Sequence, residues 1–191
     1  MSRRQKRLLS LVTAIVAVGL SLIGQQLGWF EQPTQKMQQS NPGLYAVTRF
    51  VDGDTVVVDM NGKPETIRMI GVDTPETHRP NTPVQCYGPA ASAYTKNLIG
   101  TQKVRLEADP TNQNRDRYNR LLRYVYLPDG RLVQAELVKN GYGFAYTSFP
   151  FTKKDQFVQL QEQAKSANKG LWGNCQPTQE SNGRWQTESL Q

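Results

Sequence analysis

Alternating apolar and polar residues near the start of the folded region predict three β-strands. The alternation and the β-branched residues mark residues 44–50, 54–59 and 64–71. Asn61 and Gly62 separate the second strand from the third, and both residue types tolerate the positive φ angles of a tight hairpin turn. The pattern therefore predicts that the second and third strands pair as a hairpin.

Helical and strand patterns alternate in the rest of the domain. A helix is predicted in PAASAYTKNLIG, with Pro89 in its first turn and Gly100 at its end. Strands follow in QKVRLEAD and LLRYVYL, and then a short helix in RLVQAELVKNG. The stretch KKDQFVQLQEQAKSANKGLW carries apolar residues at helical spacing, namely Phe157, Leu160, Ala164, Ala167 and Leu171. The order β-β-β-α-β-β-α-α predicts an α+β fold, a five-stranded β-barrel of the oligonucleotide-binding (OB) type with packed helices.

The first 30 residues have the pattern of a signal peptide or of an N-terminal membrane anchor. Four cations among the first seven residues precede residues 8–30, which carry no charge. The apolar run LLSLVTAIVAVGLSLIG has 17 residues. That is long for the core of a signal peptide and short for a membrane span of about 20 residues. Both alternatives stay open, and both indicate an extracytoplasmic domain, either secreted or tethered through residues 8–30.

Polar segments flank the predicted domain. Residues 31–43, EQPTQKMQQSNPG, have little to bury and are predicted to form a linker. Residues 176–191 are similarly polar, and we expect a disordered tail there. The folded domain is therefore predicted to span residues 44–175.

Composition changes this picture only slightly. A chain of 191 residues with 37% hydrophobic residues and a mean hydropathy of −0.61 suits one soluble domain with polar ends. The formal net charge is +7, of which the first seven residues supply four, so the rest of the chain carries only +3. This mild excess is compatible with a polyanionic partner and does not demonstrate one. The two cysteines, Cys86 and Cys175, have one possible intramolecular pairing, and an oxidising compartment would favour that disulfide.

Carboxylates end the strands of the predicted hairpin. Counting back from the turn places Asp54 opposite Met69, and Asp73 lies at the open end of the same ribbon. A bend near Gly71 would bring the two acids together, and two or three hard oxygen ligands suit Ca²⁺ or Mg²⁺. The alternative is that both acids cap strand ends and face water.

Two arginines are further candidates for a functional site. Arg68 is on the strand that leads into DTPE, and Arg120 ends the stretch RDRYNR before the fifth strand. Phosphoryl chemistry requires cations directed at the phosphate oxygens, and a planar guanidinium provides two parallel donors. The alternative for Arg120 is a solvated loop.

Six motifs, occurring in one order over about residues 44–173, carry a resemblance to a known family. They are VDGDTVVVD, IRMIGVDTPET, YGPAASAYTK, DRYNRLLRYVYLPDG, VQAELVKNGYGFAY and AKSANKGLWG. Together they resemble the thermonuclease, or staphylococcal-nuclease-like, family. The resemblance implies a five-stranded barrel with three helices. It also implies a Ca²⁺-dependent nuclease that hydrolyses phosphodiester bonds of DNA and RNA.

The resemblance also implies roles for the acids. Asp54 and Asp73 match the carboxylate ligands of Ca²⁺, and the backbone carbonyl of Thr74 matches a third ligand. Glu76 matches the residue that orients and deprotonates the attacking water. Pro75 would fix the turn that directs Glu76 toward that water.

The remaining matched positions would contact the nucleic acid. Arg68 and Arg120 match arginines that bind the scissile phosphate and stabilise its transition state. Arg117, Tyr118 and Tyr146 match positions around the nucleotide. DNA and RNA, preferably as single strands, are the expected substrates of a monomer.

Departures from the family pattern limit what the resemblance carries over. Asn119 replaces a frequent glycine, and Ser148 replaces a frequent second tyrosine, so base preference stays open. A competing hypothesis is a catalytically silent OB-type module that binds nucleic acid or protein. Silent copies are expected to lose an acid or an arginine, whereas all the acids and arginines named above are present. An oligosaccharide-binding barrel would leave this set of residues unexplained.

We expect the domain to lie outside the cytoplasmic membrane, because cations flanking an apolar segment stay on the cytoplasmic side. Cell fractionation measures the location. N-terminal sequencing of the mature protein separates a secreted form from an anchored one. A full-length chain found soluble in the cytoplasm would contradict this expectation.

Overall fold

The structure, a computed structural model, describes residues 43–77 and 82–190. The predictions for residues 1–30, and for all but the last residue of the linker 31–43, lie outside the described residues. Nine strands are assigned in the described part: β1 Leu44–Phe50, β2 Thr55–Met60, β3 Lys63–Met69, β4 Val72–Asp73, β5 Lys103–Glu107, β6 Leu121–Tyr126, β7 Phe144–Ala145, β8 Thr178–Gln179 and β9 Trp185–Gln186. Five of them close a barrel in the order β1-β2-β3-β6-β5, which confirms the predicted fold class.

The barrel is antiparallel except at one seam, where β3 runs parallel to β6 with Ile67 opposite Leu121. Its interior is filled by apolar side chains that are at most 6% exposed: Val56, Val58, Ile67, Met69, Val104, Leu106, Leu121 and Val125. These residues come from four of the five barrel strands, so burying them requires closure of the sheet.

Four helices complete the described domain: α1 Gly88–Ile99, α2 Val133–Lys139, α3 Lys154–Ser166 and the single turn α4 Leu171–Asn174. The predicted last helix is therefore divided in two. Asn168 and Gly170 adopt positive φ angles of 49° and 56°, which end one helix before the next begins. The division brings the backbone of Gly170 against Gly141, where a Cβ atom would collide with the Gly141 carbonyl oxygen.

The hairpin between β2 and β3 has the predicted turn. Asn61 and Gly62 have φ angles of 57° and 82°, and the amide of Met69 donates to the carbonyl of Asp54 over 2.9 Å. After β3, Gly71 adopts a φ of 76°, and a Cβ there would lie 2.6 Å from the ring of Phe151. This turn directs the chain into β4, which pairs with β7 beside the barrel.

Residues 176–190 differ from the disordered tail that their composition predicts. They form the hairpin β8–β9, and Trp185 packs edge-on against Trp172 with ring centroids 5.2 Å apart. A disulfide between Cys86 and Cys175 lies at the base of the segment, with Cα atoms 6.0 Å apart. Trp185 and the disulfide hold residues 176–190 against the domain, although the polar composition of the segment does not predict that it is ordered.

None of the helices in the described ranges has the length and apolar character needed to cross a membrane.

Asp109 ties three parts of the domain together. Its carboxylate, 4% exposed, accepts hydrogen bonds from Thr111, from the hydroxyl of Tyr124 on β6, and from the amide and hydroxyl of Thr152. Burial acts to raise the pKa of Asp109, but the hydrogen bonds from Thr111, Tyr124 and Thr152 outweigh it and lower the pKa. The ionised form is therefore the one that the fold stabilises.

We expect Asp109→Asn to destabilise the domain by about 2 kcal/mol or more at pH 7, because the NH2 group of asparagine would face hydrogen-bond donors where a carboxylate oxygen now accepts. The stabilisation by Asp109 is complete above its unfolded pKa near ~4 and is lost as pH falls toward the lower folded pKa. The difference between parent and variant should therefore shrink at pH 3.

Urea unfolding at the two pH values measures this difference. Asp129→Asn, at an exposed turn aspartate, is the control and should change the unfolding midpoint little. A variant as stable as the parent at pH 7 would contradict the assigned role of Asp109.

Candidate active site

One cleft at the rim of the barrel brings together all the site residues predicted from the sequence, apart from the disulfide cysteines. It has a volume of about 530 Å³. The predicted residues that line it are Asp54, Arg68, Asp73, Thr74, Glu76, Arg117, Tyr118, Arg120 and Tyr146. They come from β3, from β4 and from the loops that precede β2, follow β4, precede β6 and follow β7.

A buried arginine joins the two predicted metal ligands. The Nη1 atom of Arg68 lies 3.1 Å from Oδ2 of Asp54, and its Nη2 atom donates to Oδ1 of Asp73 over 2.9 Å. Nη1 also donates to the carbonyls of Met69 and Val72. Only 13% of the Arg68 side chain is exposed. Its guanidinium therefore holds the rim of the barrel together and also lines the cleft.

The local sequence explains why these groups meet. Asp54 immediately precedes β2, and Arg68 is the penultimate residue of β3, so the hairpin register places them side by side. The turn at Gly71 then returns β4 to the same rim and presents Asp73. The predicted bend near Gly71 is therefore the feature that gathers the acids.

The acids near Arg68 in the cleft outnumber the buried cations there. Asp52, which was not among the predicted site residues, lies beside Asp54, and burial together with the Asp54 charge raises the pKa of Asp52 to about 7. Burial also raises the pKa of Asp73, although Arg68 and Arg184 oppose that rise. Burial would favour a neutral Arg68, but Asp54 and Asp73 raise its pKa and keep it charged.

These residues fit a hard divalent cation. Asp54 and Asp73 supply carboxylate oxygens, and the amide of Thr74 donates to Oδ2 of Asp54 over 2.9 Å, which holds the Thr74 backbone beside that acid. The described lining contains no histidine or thiol. An oxygen-only donor set with excess negative charge favours Ca²⁺ or Mg²⁺ over Zn²⁺.

A second group of metal-type side chains does not form a metal site. Glu188 lies within reach of Cys86 and Cys175. Those cysteines are joined in a disulfide, so neither sulfur can act as a thiolate ligand.

Glu76 is held by its backbone at the side of the cleft. Its amide donates to Oε1 of Gln85 over 2.7 Å, and its carbonyl accepts from the amide of Gln85 over 2.9 Å. Its own Oε1 accepts from the amide of Thr77. Gly88 packs close by, and a Cβ there would lie 2.8 Å from the Glu76 carbonyl oxygen. The start of α1 therefore fixes the position of Glu76.

Arg120 is oriented by an acid that the sequence analysis missed. Both Nε and Nη2 of Arg120 lie 2.7 Å from Oδ2 of Asp116. Oδ1 of Asp116 accepts from the amides of Tyr118 and Arg120, which shapes the loop. Asn119 has a φ of 63°, in agreement with its predicted tolerance of the left-handed region.

Aromatic side chains flank the opening of the cleft. Tyr118 is 60% exposed, with the guanidinium of Arg117 4.8 Å from its ring centroid. The ring of Tyr146 lies 5.9 Å from the ring of Phe149, which is 57% exposed. Exposed rings beside cations are a surface on which unstacked bases bind.

Several lining residues were absent from the predicted site, among them three charged residues and one exposed aromatic: Asp52, Asp116, Arg184 and Phe149. The DGD sequence that contains Asp52 was a usable signal. Arg184 had none, because it lies in a polar segment 111 residues from its partner Asp73.

Comparison with known proteins identifies the family. Residues 66–174 match the family model described as staphylococcal nuclease homologue. The chain belongs to the staphylococcal nuclease homologue family.

Curated relatives within this family cover most of the chain. A thermonuclease of Staphylococcus hyicus is 41% identical over 168 residues, which are 87% of this chain and 96% of that protein. A thermonuclease of Staphylococcus intermedius is 43% identical over 129 residues, 67% of this chain and 75% of that protein. Endonuclease YncB of Bacillus subtilis is 47% identical over 126 residues, 65% of this chain and 59% of that protein. The resemblance seen in the six motifs is thereby confirmed.

Proposed function

We propose that this staphylococcal nuclease homologue is an exported, Ca²⁺-dependent nuclease that hydrolyses phosphodiester bonds of DNA and RNA. The observation that carries the proposal is that one cleft brings together the five residues assigned to the reaction, Asp54, Asp73, Glu76, Arg68 and Arg120. The names of the curated relatives, thermonuclease and endonuclease, support the same class of reaction.

Asp54, Asp73 and the carbonyl of Thr74 would hold the Ca²⁺ ion. A bound divalent cation offsets negative charge that develops on the phosphate. Arg68 is paired with both of these acids, so its guanidinium would supply a second positive charge near the phosphate.

Glu76 acts as the general base. Its carboxylate accepts a proton from a water molecule as the water oxygen bonds to phosphorus, and the ester bond to the leaving oxygen breaks. The backbone hydrogen bonds to Gln85 hold Glu76 in place during this step. The leaving oxygen takes a proton from solvent.

Arg120 stabilises the charge that builds on the phosphate oxygens. Asp116 orients its guanidinium before substrate arrives, so little reorganisation accompanies the reaction. Arg68 contributes from its position against Asp54 and Asp73.

Tyr118, Arg117 and Tyr146 bind the nucleotide beside the cleft, in the manner of stacking platforms that favour single strands. The Cys86–Cys175 disulfide is consistent with an extracytoplasmic location, which residues 1–30 would direct. The cleft is built from one chain, so we propose that the monomer is active.

We expect Ca²⁺ to support cleavage and excess chelator to abolish it, whereas Zn²⁺ supports it poorly, because the ligands are hard oxygens. Ca²⁺ should also raise the thermal unfolding midpoint, since it binds the folded state. Cleavage of single-stranded DNA and RNA, with and without chelator, measures the first effect. Undiminished activity in excess chelator would overturn the metal assignment.

We expect Glu76→Gln and Arg120→Lys each to slow turnover about 100-fold or more. Glutamine keeps an oxygen for the amide of Thr77 but accepts no proton from water. Lysine keeps the charge of Arg120 but loses the planar fork that contacts Asp116 and phosphate.

Steady-state cleavage rates measure both effects, with circular dichroism as a check on folding. Arg131→Lys is the matched control, since Arg131 also pairs through Nε with an aspartate, Asp129, but lies outside the cleft. If both variants fold and cleave within about threefold of the parent, the assigned roles are wrong.

A further inference from the structure

The C-terminal segment, residues 176–190, is attached to the domain at both ends. The disulfide between Cys86 and Cys175 fixes its start. At its end, the amide of Cys86 donates to the carbonyl of Glu188 over 2.7 Å, and the amide of Leu190 donates to the carbonyl of Val84 over 2.8 Å. The segment therefore runs beside residues 84–86, which include the Gln85 that holds Glu76.

The β8–β9 hairpin of this segment is also anchored by an aromatic residue. Trp185 stacks on Phe144 with ring centroids 6.1 Å apart, and the ammonium of Lys165 lies 4.8 Å from the Trp185 ring centroid. Phe144 is the residue opposite Asp73 in the β4–β7 pair. Packing of Trp185 on Phe144 consequently brings the preceding residue, Arg184, to Asp73.

Arg184 reaches the cleft through one hydrogen bond. Its Nε atom donates to Oδ2 of Asp73 over 3.0 Å, and the side chain is 38% exposed. Among the described residues this is the one protein hydrogen bond of the guanidinium, so its two Nη groups remain for a ligand. Arg68, by contrast, is 13% exposed and directs its Nη atoms at backbone carbonyls and two acids.

The electrostatics of the rim favour an anionic ligand at Arg184. Asp54 and Asp73 repel a polyanion, whereas Arg184 adds an accessible cation in contact with Asp73. A divalent cation at Asp73 would weaken the ion pair between Asp73 and Arg184, because two cations would then share one carboxylate. Phosphate oxygens are the acceptors that a guanidinium fork suits best.

We propose that Arg184 is a substrate-binding residue that contacts a backbone phosphate of the nucleic acid next to the bond being cleaved. The proposal rests on the proposed nuclease function and adds the β8–β9 hairpin to the substrate site. Arg184 binds and positions the strand, while Glu76 and Arg120 carry the chemistry.

The test compares Arg184→Gln with Arg131→Gln, both in the Glu76→Gln background so that the oligonucleotide is cut only slowly during the measurement. The affinity for a fluorescent single-stranded DNA oligonucleotide is measured in Ca²⁺ over a series of KCl concentrations. We expect Arg184→Gln to weaken binding about tenfold. The slope of log affinity against log salt should fall by about 0.7, the value for one phosphate contact on a single strand.

The control variant Arg131→Gln removes the same charge from an aspartate pair outside the cleft and should keep the parent slope. Arg184→Lys should keep the slope while binding more weakly, because it retains charge but not the fork. Thermal unfolding of each variant verifies that the domain is intact.

Each other outcome is decisive. If Arg184→Gln matches Arg131→Gln in slope and affinity, Arg184 only neutralises Asp73 and the inference fails. If Arg184→Lys loses slope to the same extent as Arg184→Gln, the effect does not come from charge and the inference also fails. If the Glu76→Gln protein with Arg184 intact binds no oligonucleotide, the proposed function fails instead.

Discussion

The ion pairs of Arg68 with Asp54 and Asp73 are the constraint on which the rest of the rim depends. They join the start of β2, the end of β3 and the strand β4, at a position where little water reaches the charges. A buried guanidinium is stable only when its partners stay in place, because removal of one leaves an uncompensated charge. The turn at Gly71 is required for the same reason, since it returns Asp73 to the pair.

The acids of the rim outnumber its buried cations, and this excess of negative charge suits the proposed binding of a divalent cation. One buried arginine faces three acids, and the pKa of Asp52 is raised by burial of its carboxyl group and by the neighbouring charge of Asp54. Such a cluster is a poor way to stabilise a barrel and a good way to bind a divalent cation. Stability comes from elsewhere, from the barrel core and from the hydrogen bonds that Asp109 accepts.

The groups that surround the acids are fixed by neighbours outside the cleft. Asp116 orients Arg120, Gln85 holds the backbone of Glu76, and Trp185 delivers Arg184 to Asp73. Each contact joins a residue with a proposed chemical role to a loop or strand whose position is set by packing. The β8–β9 hairpin extends this arrangement beyond the predicted domain boundary.

The sequence by itself determined the features that depend on local periodicity and turn chemistry. The barrel strands, the Asn61-Gly62 turn and the register that sets Asp54 against Met69 follow from alternation and from positive φ angles. The family motifs supplied the predicted site residues, and the cleft brings together all those proposed to bind metal or nucleic acid. These parts were accessible because neighbouring residues encode them.

Only the tertiary structure decided the contacts between distant segments. Arg184 meets Asp73 across 111 residues, through the packing of Trp185 on a strand that the sequence pattern did not reveal. The break between α3 and α4 likewise depends on the close approach of Gly170 to Gly141. Composition describes the average polarity of a segment, whereas a single aromatic ring and a single disulfide are enough to order it. A disordered polar tail and a docked hairpin can therefore have the same composition, and only the tertiary contacts distinguish them.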